Sequence, residues 1–183
     1  MTIFDIYITI GNIKLKWVIM IILGIDPGFA TVGWGVIKSE KGNATVIDYG
    51  VITTPKEEKL PQRLAMLETG IKKLIEKFKP DEIALEELFF NTNITTGINV
   101  AQARGVILLT CVKECGKLFE YTPLQIKQAL TGYGRAEKKQ IQAMVKTFLR
   151  LEKVPRPDDA ADALAVALTH NQTRRFRMPF GIK

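Results

Sequence analysis

The chain has 183 residues, 46% of them hydrophobic and 25% charged, which fits one compact domain with a sizeable core. Lys and Arg number 26 against 19 Asp and Glu, a formal charge of +7. That excess points to a polyanionic partner, nucleic acid foremost. Cys111 and Cys115 share one helix face and make no disulfide framework. A single His170, with no CxxC-type pair, argues against zinc. Reduced thiols imply a cytoplasmic setting.

The first 19 residues stand apart. Met20 directly precedes the first strong strand and reads as a natural start. Residues 1–19 are then an N-terminal extension, a mis-assigned start or a poorly ordered arm. Their alternation at Ile3, Ile8, Ile10 and Ile13 also allows a marginal extra strand. The apolar run Trp17 to Leu23 is too short to span a bilayer and lacks a small-residue cleavage site, so no membrane is expected.

Residues 20–26, MIILGID, form a continuous apolar run ending in Asp26, the pattern of a buried central strand. PGFAT turns the chain, and Gly28 is expected to supply a positive φ there. VGWGVIKS is a second strand. Lys41, Gly42 and Asn43 make a hairpin turn into a third, ATVIDYGVITT. Residues 61–79 carry apolar groups every three or four positions, an amphipathic helix ended by Pro80. EIALEELF is a strand, NTNITTG a polar loop, residues 98–115 a helix, and KLFEYTP another strand. Helices follow over 123–131, 137–151 and 158–172, the last with Asp158 as N-cap. A three-strand antiparallel meander followed by alternating elements predicts an α/β fold: a mixed five-stranded sheet with helices on both faces. Residues 20–173 form the single domain, and 174–183 a basic flexible tail.

Two apolar strands end in carboxylates, Asp26 in one and Glu86 with Glu87 in the other. Ligand sites in open α/β sheets lie at strand carboxyl ends. An acid there is desolvated by apolar neighbours unless paired or metal-bound. Adjacent strand residues point to opposite faces, so only one of Glu86 and Glu87 should reach a shared site. The run PDDAADALA adds Asp159 and Asp162, three apart on one face of an alanine-rich, buried helix. The helix dipole accounts for Asp158 and Asp159 but fades before Asp162. Four carboxylates at one sheet end favour a hard divalent cation. Two such ions can clamp the attacking and leaving oxygens of a phosphodiester. The expected catalytic and metal residues are therefore Asp26, Glu86, Asp159 and Asp162. His170, about 12 Å from Asp162 along the helix axis, reads as structural.

Phe89 and Phe90 enter the polar loop, where aromatics stack on unpaired bases or wedge a strand apart. Arg104, Lys127, Arg135, Lys138 and Lys139 supply positive charge beyond it. Lys138 and Lys139 open a helix against its dipole, which suggests phosphate contacts. A solvated basic face is the plain alternative.

GIDPG with a downstream GWGVI, then IALEELFFNTN, AQARG, TPLQIKQALTGYGRAEKKQI and PDDAADALAVALTH, together resemble the RuvC Holliday-junction resolvases. The resemblance runs from about Met20 to His170. It implies an RNase H-like fold and a homodimer that nicks two opposing strands of a four-way DNA junction in recombination and repair. It implies magnesium, two ions per subunit with manganese able to substitute, and a branch-migration motor as partner. It places the catalytic acids on Asp26, Glu86, Asp159 and Asp162. Family members vary at the position of Asp159, some carrying histidine. The inserting aromatic falls on Phe89, and the junction-binding lysines on Lys127 and Lys138.

Three other readings compete. An RNase H-like nuclease for RNA–DNA hybrids or single strands would use the same acids. An ATP-binding phosphotransferase also opens on a Gly-Ile-Asp strand, but needs a duplicated domain for which this chain is too short. A silent junction-binding protein leaves the four acids unexplained.

Overall fold

The computed structural model describes residues 5–10, 13–87 and 94–177. The elements in order are β1 (Asp5–Ile10), β2 (Ile13–Val18), β3 (Met20–Asp26), β4 (Thr31–Glu40), β5 (Asn43–Thr53), α1 (Leu60–Phe78), β6 (Glu82–Glu86), α2 (Ile94–Glu114), β7 (Leu118–Tyr121), α3 (Pro123–Thr131), α4 (Lys138–Phe148) and α5 (Asp158–Arg177). β3 to β7 form one sheet in the order β5-β4-β3-β6-β7. β3, β4 and β5 pair antiparallel, while β6 and β7 run parallel to β3. This is the expected mixed five-stranded sheet. β1 and β2 pair with each other as a separate antiparallel ribbon, two strands where the alternation suggested one.

Local chemistry accounts for the joints. Lys41 and Gly42 both take positive φ, 51° and 80°, the geometry a two-residue hairpin turn requires. α3 begins in a capping box: the Gln125 amide donates to Thr122 Oγ1 at 3.1 Å, and the Thr122 amide to Gln125 Oε1 at 2.8 Å. Lys79, in the left-handed region just before Pro80, closes α1.

Strand alternation divides the core into two layers. Leu23, Ile25, Val36, Ile83 and Leu85 face α1 and α2, where Leu67, Ile71 and Ile107 cover them. Ile22, Ile37, Ala84 and Tyr121 face the other way, toward Ile126 of α3, Val145 of α4 and Leu164 to Leu168 of α5. α5 lies across β3 and β4 with its alanines buried. It comes this close because those strands present no side chain at the contact. A Cβ on Gly24 would lie 2.2 Å from the Ala163 carbonyl oxygen, and one on Gly35 would lie 2.6 Å from Leu164 Cδ2. Among the described residues no helix is long and apolar enough to cross a membrane.

Candidate active site

Asp26 ends β3 and Glu86 ends β6. Their strand neighbours Ile22 and Ala84, an even number of residues back, face the α5 layer, so both carboxylates point to that side. Asp159 and Asp162 come from the first two turns of α5. Gly33, the register partner of Asp26, admits the helix: a Cβ there would lie 2.0 Å from the Asp159 carbonyl oxygen. Three elements remote in sequence thus bring four acids to one end of the sheet. The turn after Asp26 departs from expectation. Gly28 is not among the positive-φ residues. Its lack of a side chain serves a close approach instead, since a Cβ would meet the Thr31 carbonyl oxygen at 2.1 Å.

The electrostatics show that these acids interact. Burial pushes the Asp26 carboxyl up to about 7; Glu86, Asp162 and Asp159 add repulsion, and Lys138 opposes it. Burial also raises Glu86 to about 7, with Asp162 adding and Lys138 and Lys127 opposing. Asp162 is raised by burial, against the pull of its hydrogen bond from Lys138. Lys138 Nζ donates to Asp162 Oδ2 at 2.7 Å and lies 3.7 Å from Asp158 Oδ2. The sequence reading placed this ammonium among the phosphate contacts. Its position shows a second role, as counter-ion to the acids, which no local spacing reveals because 24 residues separate the partners.

A cleft of about 210 Å³ opens beside the acids, lined by Glu86, Asp162, Lys127 and Lys138 with Pro123, Ile126 and Ile141 as apolar wall. Lys127 therefore lies beside the acids. Lys139 is exposed at the start of α4. Arg104 lies on the α2 side of the sheet, where it is ion-paired with Glu120. Phe89 and Phe90 lie outside the described residues. His170 is buried at the far end of α5, hydrogen-bonded to Tyr121 and Glu82, which agrees with a structural reading.

The donor set fits a hard cation. All four groups are carboxylates, and two are held near neutrality by desolvation and mutual repulsion, a conflict that positive charge relieves. Among the described residues no three acidic, imidazole or thiol side chains form a ready-made metal-binding group. A cation would compete with the Lys138 ammonium for Asp162.

A missed feature supports the Asp26 end. Arg63, buried in α1, stacks its guanidinium 3.7 Å from the Phe29 ring centroid and donates from Nε to Thr54 Oγ1 at 2.9 Å. Thr54 Oγ1 donates in turn to the Phe29 carbonyl at 2.7 Å. The turn that follows Asp26 is thereby tied to α1 and the end of β5. An arginine within an amphipathic helix carried no signal of this in the sequence.

The family described as crossover junction endodeoxyribonuclease RuvC matches this chain over residues 22–170. The chain belongs to the RuvC family. The crossover junction endodeoxyribonuclease RuvC of Alkaliphilus oremlandii is 53% identical over 164 residues, covering 90% of this chain and 100% of that protein. The RuvC of Petrotoga mobilis is 56% identical over 156 residues, 85% of this chain and 96% of the relative. Among solved structures, Thermus thermophilus RuvC superposes with a TM-score of 0.79 at 35% identity, covering 86% of this chain and 96% of that one. The same protein in complex with Holliday junction substrate gives 0.81 at 34% identity, with the same coverage. The RNase H-like RuvC fold expected from the motif order is therefore the fold observed.

Proposed function

We propose that this chain resolves four-way DNA junctions by paired nicks, with Asp26, Glu86, Asp159 and Asp162 as its catalytic, cation-holding acids. The observation that carries this is the convergence of four carboxylates from three elements, two of them held near 7, in a chain of the RuvC family. Magnesium, two ions per subunit with manganese as substitute, would supply Lewis-acid stabilisation of the phosphodiester and a more acidic attacking water.

The chain's own residues do the rest. The acids would hold the ions and accept hydrogen bonds from the attacking water. Lys127 and Lys138 line the cleft with positive charge for the phosphate oxygens. Among the described residues no serine, threonine or cysteine lines that cleft, which suits attack by water; the proposed hydrolysis is in line and leaves 5′-phosphate and 3′-hydroxyl ends. Lys139, Arg104 and the loop aromatics Phe89 and Phe90 extend the DNA contact. The substrate needs two symmetric cuts, which suits a two-fold dimer. Ile98, Leu109 and Val112 are each more than half exposed along α2, and Gly105 between them leaves open space for a second helix. A branch-migration motor is the proposed further partner, and the cytoplasm the proposed location.

Amide replacements test the acids one at a time. Asp26→Asn, Glu86→Gln and Asp162→Asn should each abolish junction cleavage while keeping junction binding. Normal cleavage by any of the three would remove that residue from the site.

A further inference from the structure

The far end of α5 carries ionisable groups that the acidic site does not use. His170 is 2% exposed. Its Nε2 lies 2.7 Å from Glu82 Oε2 and its Nδ1 2.7 Å from the Tyr121 hydroxyl. Arg174, one turn on, brings Nε to 3.3 Å from the same Glu82 oxygen. The Phe119 ring packs on the imidazole, with centroids 4.5 Å apart. Burying such groups is costly unless each finds a partner. Here the partners belong to three elements, so the pairing ties α5 to β6 and β7.

The spacing gives this tie a consequence. Glu82 and Glu86 lie on one face of β6, four residues and so about 13 Å apart. Asp162 and His170 lie on one face of α5, eight residues and so about 12 Å apart. α5 runs antiparallel to β6, with His170 against Glu82 at one end and Asp162 beside Glu86 at the other. The two spans match, so holding one end sets the other. Between these two ends α5 also packs closely on the neighbouring strand β3, where Ala163 and Ala167 rest on Gly24. Tyr121 strengthens the link, because it is the register partner of Glu86 itself.

We propose that His170 and Glu82 are positioning residues for the acidic site: their buried pair sets the register of α5 on β6, and with it the placement of Asp162 against Glu86. The proposal rests on the reading that those acids hold the cation. His170→Gln and Glu82→Gln keep a polar group of similar size and replace the imidazole–carboxylate contact. Titration calorimetry with Mn2+ should show severalfold weaker binding in each. Turnover of a four-way junction should fall by a similar factor, with KM for the junction within about twofold. Parent-like Mn2+ affinity and turnover, measured below the variants' melting temperatures, would show that the pair only stabilises the fold and would overturn the proposal. If both variants fail to fold, Arg174→Met removes one Glu82 partner at the half-exposed edge. It should weaken Mn2+ measurably, and parent-like affinity there also overturns the proposal. A parent protein that neither binds Mn2+ nor cuts junctions would instead sink the reading of the acids.

Discussion

Replacing Asp26 by asparagine probes the site without substrate or metal. In the folded protein the Asp26 carboxyl stands at about 7, against an ordinary value of 3.8. At 1.36 kcal/mol per pH unit, its ionised form is disfavoured on folding by roughly 4 kcal/mol. The direction follows from proton binding. Between about pH 4 and pH 7 the folded protein holds a proton at Asp26 that the unfolded chain has released. Stability is therefore lost as pH rises through that window. Glu86, raised to about 7 by burial and Asp162, acts in the same sense. The two titrate as a coupled group, so their effects do not simply add. Asp26→Asn removes one charge and should stabilise the protein at pH 8 in EDTA. At about 2–4 °C per kcal/mol for a domain of this size, the melting temperature should rise on the order of 10 °C. Near pH 4 the gain should nearly vanish. Divalent cation should raise the parent's melting temperature at pH 8 more than the variant's. Thermal unfolding by circular dichroism at the two pH values reads all of this. A variant no more stable than the parent at pH 8, or equally stabilised at both, would refute the account of the acids as a repelling cluster.

Three further outcomes follow from the geometry. Lys138→Met removes the ammonium from Asp162 and the cleft. Junction cleavage should fall, and the salt dependence of binding should flatten by roughly one unit of slope; an unchanged slope would leave Lys138 as counter-ion alone. Gly33→Ala puts a Cβ where the Asp159 carbonyl lies 2.0 Å away, so the start of α5 must move. Urea unfolding should show a loss of about 1–3 kcal/mol and cleavage should collapse, whereas parent-like stability and rate would contradict the close-approach argument. Leu109→Glu places a charge in the exposed α2 face. Light scattering should then report a monomer with unchanged circular dichroism, and a persistent dimer would move the interface elsewhere.

Much of the fold was legible because its signals are local. The apolar runs ending at Asp26 and Glu86, the turn at Lys41 and Gly42, and the periodicity of α1 each depend on a few neighbouring residues. The four acids were legible for the same reason: strand ends and an acid in the second turn of α5 are unusual wherever the chain folds. What escaped depends on tertiary approach. Gly28 was read for its φ, but the nearby Thr31 carbonyl is what demands glycine. The Lys138–Asp162 contact, the Arg63 tie to Phe29 and the pairing of Arg104 with Glu120 join elements that no periodicity relates. α2 begins at Ile94 rather than residue 98, because threonine and glycine early in the helix read as loop. α5 runs on to Arg177, past residue 172, since the basic residues there continue the helix rather than opening a tail.

The central claim is that these acids cut one DNA architecture. Purified protein should be incubated in magnesium with a mobile four-way junction, a linear duplex of the same sequence and an RNA–DNA hybrid. Symmetric pairs of nicks in the junction alone, abolished by EDTA, are the predicted result. Equal cutting of all three, or cutting undiminished in EDTA, would contradict it.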